Sequence, residues 1–297
     1  MRTHLDCFPC FIRQALEAAR MATEDEGYHR KVLSRVLEKL PDISLDLYPP
    51  QVGAILHAIV REVADNGDPY HDVKGKYNRI GMELYPQLKK LVVGSEDPLR
   101  VAVELAVLGN IIDFGVVNSN FDLEGALGEL QNITFAVDDY QQFKTALNDV
   151  RTVLYLGDNA GEIVFDRILI EEILTQWDLN MTFVVKQNPI INDATMEDAR
   201  FVGITDLVRV IPNGAKLPAP ATVLDECSDE VNRLFRSSDL IISKGQGNFE
   251  VLEEQAGNIF FLLKAKCPVI ADYLGVKEGD LLIKSLKKGQ EGMVCTG

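Results

Sequence analysis

From residue 151 onward, short apolar runs rich in β-branched residues alternate with helical patterns, and this alternation limits what the chain can fold into. The runs are residues 153–156, 181–185, 208–211, 240–242, 259–263 and 269–271. Helical spacing lies between several of them, as in Ile163, Val164, Ile168, Leu169 and Ile173. Alternating strands and helices imply βαβ units and a mainly parallel sheet, because parallel neighbours need a crossover long enough to hold a helix. The first half reads differently. Phe11, Ala15, Ala18, Ala19 and Met21 suit one helix. Ile55, Ile59, Val60 and Val63 suit another, stopped by Asn66-Gly67-Asp68-Pro69, and Val101, Leu105, Leu108, Ile111 and Ile112 form a third stripe. The expected architecture is a helical N-terminal region over residues 1–145 and a doubly wound α/β domain over 146–286. The boundary falls between residues 142 and 151, and 287–297 form a loose tail.

Ligands of open α/β sheets bind where strands end and helices begin. Three such places carry unusual polar residues. The first is Gly157-Asp158-Asn159-Ala160-Gly161-Glu162. The second is Lys186-Gln187-Asn188-Pro189-Ile190-Ile191-Asn192-Asp193-Ala194-Thr195. The third is Ser243-Lys244-Gly245-Gln246-Gly247-Asn248-Phe249-Glu250. Each has an ordinary explanation when taken singly. Asp158 and Asn159 suit a turn or a helix cap, Asp193 an N-cap, Lys244 a solvated charge, and Gly245-Gln246-Gly247 a glycine turn. Together at one sheet edge they supply carboxylate and amide oxygens, two lysines, and glycine-rich turns whose N–H groups can face an anion.

That inventory suits phosphoryl chemistry. Mg²⁺ or Mn²⁺ takes oxygen ligands from one or two carboxylates and leaves places for water and a substrate phosphate. Asp158, Asn159 and Asp193 are the expected metal ligands. Lys244 would neutralise phosphate charge, and the N–H groups of Gly245, Gln246, Gly247 and Asn248 would cradle its oxygens, with Lys186 close by. Direct attack by water and a transient phospho-enzyme on Asp158 both fit these residues. Rival chemistries lack their motifs. There is no Gly-x-x-x-x-Gly-Lys-Ser/Thr loop, no Gly-x-Gly-x-x-Gly after the first strand, and no Gly-x-Ser-x-Gly elbow. Ala160 removes an Asp-x-Asp phosphatase pattern.

Composition narrows the partners. A net charge of −15 argues against gripping nucleic acid by its phosphates, which needs a basic face. No run is long enough to span a bilayer, since Lys264 stops the most apolar one. The first residues lack the pattern of a secretory signal, and the cysteines do not suggest a disulfide framework. The expectation is a cytoplasmic protein that meets a small phosphorylated metabolite, not nucleic acid or membrane.

The same residues resemble a known family. Gly157 through Glu162, Ile190-Ile191-Asn192-Asp193-Ala194-Thr195 and Ser243 through Glu250 are similar to the motifs of the damage-control phosphatases. The resemblance is closest to their shorter, prokaryotic branch and covers nearly the whole chain. In the first half it includes Cys7-x-x-Cys10, Asp68-Pro69-Tyr70 with Lys74 and Asn78, and Gly109-Asn110-Ile111-Ile112-Asp113-Phe114-Gly115. It implies a helical region on a three-layer α/β/α domain, and a divalent metal (Mg, Mn, Co or Ni) at Asp158, Asn159 and Asp193. It also implies Lys244 as the phosphate-binding lysine, and metal-dependent hydrolysis of sugar phosphates or damaged and surplus phosphometabolites.

Other residues carry softer readings. Asn110 and Asp113, three apart on a helix, can face one site as substrate contacts or cap that helix near Gly115. Lys74 and Asn78, four apart, suit a solvated face or the same cleft. Glu162 and Glu250 can contact substrate, and Glu162 can support the ligands. Cys7 and Cys10 have metal-ligand spacing, but structural zinc would need further ligands, from Cys227 or Cys267; burial as small apolar side chains is the plainer account. Two other functions stay open. Methyl transfer from S-adenosylmethionine to a carboxylate would proceed without phosphate release, and a non-catalytic phospho-ligand module would bind without turnover.

Overall fold

The computed structural model describes residues 1–109 and 134–286. Helices α1 (Cys7–Ala22), α2 (Glu26–Lys39), α3 (Pro49–Ala64), α4 (His71–Val93) and α5 (Pro98–Leu108) build the first part. Then follow β1 (Phe135–Asp138), α6 (Tyr140–Leu147), β2 (Thr152–Leu156), α7 (Glu162–Gln176), β3 (Asn180–Val185), α8 (Met196–Phe201) and β4 (Arg209–Pro212). The described chain ends with α9 (Asp229–Ser237), β5 (Leu240–Lys244), α10 (Gly245–Leu252), β6 (Ile259–Lys264), α11 (Pro268–Leu274) and β7 (Leu281–Leu286).

The strands form one seven-stranded sheet in the order β1-β7-β6-β5-β2-β3-β4. β2 pairs in parallel with both β3 and β5, β3 with β4, and β5 with β6, whereas β7 is antiparallel to β6 and parallel to β1. The central strands are apolar on both faces because both faces are covered. Leu154, Tyr155 and Leu156 of β2 and Leu240 and Ile242 of β5 have no exposure. Full burial of each such side chain stabilises the fold by about 1.5–3 kcal/mol. One core packs α4, α5 and α7 on one face of the sheet, and a second packs α9, α10 and α11 on the other. These are the expected three layers. A third core, built from Phe11, Ala15, Val32, Val36, Leu56 and Val60, holds α1, α2 and α3 together.

Three details differ from the sequence reading. Residues 269–271, expected as a strand, lie within α11, which starts with a proline at its first position, where a missing N–H costs nothing. The strand that completes this side of the sheet is β7, at residues 281–286. The expected boundary near residue 145 also falls too late, since Phe135–Asp138 within the stretch read as helical already pairs with β7. Asn110, Asp113 and the 287–297 tail lie outside the described residues.

Strand order reverses beside β2. The chain runs outward through β3 and β4 in one direction, then returns to place β5 against the other side of β2. The turns after β2 and β5 therefore leave towards opposite faces, into α7 and α10, and a crevice opens between them. This is the topological switch point at which such sheets bind ligands.

Candidate active site

Asp158 and Asn159 sit in the turn between β2 and α7, and Asp193 in the long connection after β3. Backbone pairing brings them together. Asn159 and Asp193 form an isolated antiparallel bridge. Ala160 N donates to Asn192 O and Ala194 N to Asp158 O, both at 2.8 Å. The turn after β5 closes the third side. Gly245 adopts φ +78°, and a Cβ there would lie 2.0 Å from Asp158 Oδ2, so only glycine fits. The three polar strand ends of the sequence thus meet at one point.

The carboxylates are desolvated. Asp158 is 7% exposed and Asp193 2%. Burial raises both pKa values above the ordinary range. For Asp158 the charge of Glu162 adds to the rise, while Lys266, Lys186 and Lys244 oppose it. For Asp193 the Asp158 charge adds, and Lys186 opposes. Lys186 Nζ lies 3.5 Å from Asp193 Oδ2, an ion-pair neighbour. That oxygen is buried and has no hydrogen-bond partner among the described residues. Asn159 Nδ2 donates to Asp158 Oδ2 at 2.9 Å and to Glu162 Oε2 at 3.0 Å. Both amide hydrogens are thereby engaged, and the Asn159 carbonyl oxygen is the atom left for a cation.

Beneath this layer runs a buried ionic network. Lys244 has no exposure, and its Nζ donates to Glu162 Oε1 at 2.5 Å and to Asp166 Oδ1 at 2.6 Å. Burial alone would lower the Lys244 pKa, but the Asp166 and Glu162 carboxylates hold it above its usual value. Tyr155 OH donates to the same Asp166 oxygen at 2.7 Å. The Lys244 ammonium therefore does not line the cleft as a phosphate ligand in this structure. It faces inward because two carboxylates of α7 neutralise it where water cannot. Asn248 is likewise committed to the scaffold: its Oδ1 accepts from Thr222 N at 2.6 Å and its Nδ2 donates to Lys244 O at 2.9 Å.

Above the carboxylates lies a cavity of about 720 Å³ whose walls include Asp158, Asn159, Asp193, Gln246, Gly247 and Glu250. Across from them α1 contributes Cys7, Cys10 and Arg13, and the segment after β6 contributes Lys266 and Cys267. Burial pushes the Glu250 pKa up to about 7, against the opposing hydrogen bond from Gln246. Lys266 is the basic side chain of this wall in electrostatic reach of both Asp158 and Asp193. Sequence reading passed over Lys266 because it stands among ordinary surface lysines. It also passed over Asp166, although Asp166 lies four residues past Glu162 on the same helix face, a spacing that could have flagged it.

One softer expectation is corrected. Lys74 and Asn78 are not on a solvated face: they are 3% and 2% exposed, Lys74 pairs with Asp68 at 2.7 Å, and Asn78 reaches the active-site turns. Cys7 and Cys10 line the cavity together with Cys267. Among the described residues no group of three or more His, Cys, Asp or Glu is placed to hold a metal. The Asp158, Asn159 and Asp193 set has two carboxylates and an amide. Among the described residues no helix is long and apolar enough to cross a membrane.

Comparison with known proteins identifies the family. The family described as "Damage-control phosphatase ARMT1-like domain" matches residues 3–282. A damage-control phosphatase of Pyrococcus horikoshii is 34% identical over 95% of this chain and 97% of its own, and one of Archaeoglobus fulgidus 32% identical over 94% and 97%. An uncharacterised protein of Methanocaldococcus jannaschii is 34% identical over 93% of this chain and 92% of its own. The crystal structure of a DUF89 family protein from Pyrococcus horikoshii superposes with a TM-score of 0.89 at 32% identity, covering 96% of this chain and 99% of that one. The motifs at the crevice, the fold that presents them and these whole-length similarities agree: the chain belongs to the damage-control phosphatase family with an ARMT1-like domain.

Proposed function

We propose that the chain is a metal-dependent phosphatase that hydrolyses small phosphorylated metabolites, sugar phosphates or damaged and surplus phosphometabolites among them. Its relatives named damage-control phosphatases support the phosphatase role. The observation that carries the metal dependence is the convergence of Asp158, Asn159 and Asp193 at the switch point, under a cavity of about 720 Å³.

The donor set fits a hard divalent ion. Asp193 Oδ2 is buried without a hydrogen bond, its nearest cation being Lys186 Nζ at 3.5 Å; the Asn159 amide has both hydrogens engaged, and the desolvated Asp158 and Asp193 carboxylates repel one another. Lys186 and Lys266 offset part of this buried negative charge, and a cation held between the carboxylates would offset the rest. Two carboxylates and an amide leave coordination places open, which suits Mg²⁺, Mn²⁺, Co²⁺ or Ni²⁺. A divalent ion bound there would neutralise charge and polarise the phosphoryl group.

The protein's own groups do the rest. Lys266 meets the non-bridging phosphate oxygens from the cavity side. The first turn of α10, whose Gln246 and Gly247 line the same space, would favour an anion through its backbone N–H groups. Lys244 acts from below, fixing Glu162 and through it the Asn159 amide. The cavity above accommodates the organic part of the substrate, with Gln246, Glu250 and Arg13 within its walls. Hydrolysis adds water at phosphorus and breaks the ester P–O bond, and the leaving alkoxide takes a proton. The test is release of phosphate from p-nitrophenyl phosphate and a panel of sugar phosphates with Mg²⁺, Mn²⁺, Co²⁺ or Ni²⁺, with and without chelator. Activity in at least one metal, abolished by chelator and by Asp158→Ala, is expected. Turnover unchanged by either would overturn the proposal.

A further inference from the structure

The two turns that carry the metal-ligand candidates are both fastened to one buried side chain of the helical region, Asn78 of α4. Asn78 is 2% exposed. Its Oδ1 accepts from Gly161 N at 2.8 Å, two residues past Asn159, where the chain passes through φ +79° to start α7. Its Nδ2 donates to Asp198 Oδ1 at 2.7 Å. Asp198 in turn accepts through Oδ2 from Thr195 N and Thr195 Oγ1, both at 2.8 Å, closing the capping box two residues past Asp193. The amide orientation is fixed, because Gly161 N–H can only donate and the Asp198 carboxylate accepts.

The helix cannot drift from this contact. Gly81, one turn on, lies so close that a Cβ there would meet Val164 Cγ2 at 2.8 Å and Gly161 O at 3.2 Å. One turn earlier the buried Lys74–Asp68 pair anchors the start of α4. Backbone hydrogen bonds tie the two turns to each other and to the end of β3, with Ala160 N on Asn192 O, Ala194 N on Asp158 O and Lys186 N on Ala194 O. Asn78 adds a side-chain tie to both turns from a helix outside the sheet.

We propose that Asn78 is a positioning residue that holds the Asp158–Asn159 half and the Asp193 half of the metal site in fixed relation, making α4 part of the active site. This rests on the metal-dependent reading above. Preorganised ligands bind an ion more tightly because fewer motions are lost on binding. Partners that orient ligands are worth on the order of 10- to 100-fold in metal affinity.

The experiment exchanges the two partners. In Asn78→Asp the new carboxylate still accepts from Gly161 N–H but faces the buried Asp198 carboxylate. The double variant combines Asn78→Asp with Asp198→Asn. Its new amide on α8 donates to the new carboxylate on α4, and the amide oxygen accepts from Thr195, so every hydrogen bond returns at unchanged net charge. Mn²⁺ affinity is measured by calorimetry on the full, metal-stripped chain. Hydrogen exchange over residues 157–162 and 188–195 is followed without metal. The single variant should lose on the order of 10- to 100-fold in Mn²⁺ affinity and exchange faster in both segments, and the swap should restore both. Faster exchange with wild-type affinity would reduce Asn78 to a structural hydrogen bond and overturn the proposal, as would a folded swap that regains protection but not affinity. If Asn78→Asp does not fold, the swap alone decides by the same affinity criterion. Absence of Mn²⁺ binding by the wild type would instead refute the metal-dependent reading, and the proposal with it.

Discussion

Replacing Lys244 with methionine separates the two roles this residue can have. The ammonium is unexposed and lies 2.5 Å from Glu162 and 2.6 Å from Asp166, so one cation neutralises two buried anions. Methionine keeps most of the volume and removes the charge. Deleting one partner of a buried ion pair costs about 3–5 kcal/mol, because the remaining charge is stranded away from water. The stranded anions can escape by binding protons, which gives the deficit a sign with pH. Burial, with the Glu162 charge, already raises the Asp166 pKa to about 7, against the pull of Lys244. Without that pull it climbs further, so the folded variant binds more protons than the unfolded chain and its stability falls as pH rises. Urea unfolding with chelator present should therefore show a deficit of about 3–5 kcal/mol at pH 8, shrinking by about 2–4 kcal/mol at pH 5. The triple variant Lys244→Met, Glu162→Gln, Asp166→Asn should recover most of the pH 8 loss. A deficit below about 1 kcal/mol, or one equal at both pH values, would refute the account and return Lys244 to the role of a phosphate ligand.

Other consequences are equally direct. Gly245→Ala places a methyl group against Asp158 at positive φ; it should cost about 1–3 kcal/mol and abolish Mn²⁺ binding by calorimetry. Lys266→Ala should leave stability within about 0.5 kcal/mol while raising KM for a phosphomonoester; an unchanged KM would remove it from phosphate binding. Tyr155→Phe removes one hydrogen bond to Asp166, and should cost about 1–2 kcal/mol in chemical denaturation with little change in kcat. Metal-stripped protein should melt at lower temperature than protein saturated with Mn²⁺, because an ion that binds only the folded state stabilises it by mass action.

Much of the molecule could be read before folding. The apolar runs at 153–156, 181–185, 240–242 and 259–263 fall within β2, β3, β5 and β6, since strands buried on both faces leave an uninterrupted signal. The run at 269–271 failed because a short apolar stretch after proline fits a helix start as well as a strand. The strand at 135–138 alternates intermediate and exposed positions on an edge, and four residues of that kind do not stand out.

At the site, the sequence determined the residue types. Asp158 and Asn159 were marked by their place just beyond an apolar run, and Asp193 by the polar stretch that follows another, properties of local order alone. Which of the polar groups face the cavity was decided by tertiary structure. Lys244 is turned inward because Glu162 and Asp166, some eighty residues earlier, lie across the crevice and neutralise it. Lys266 joins Lys186 in reach of the carboxylates only because β6 ends beside β5. Asn78 becomes a tie between the two ligand turns only because α4 packs on α7. A sequence states which charges and amides a chain owns. Whether each ends in water, in a cavity or against a counter-charge depends on desolvation and on partners distant along the chain, and those exist only once the sheet has formed.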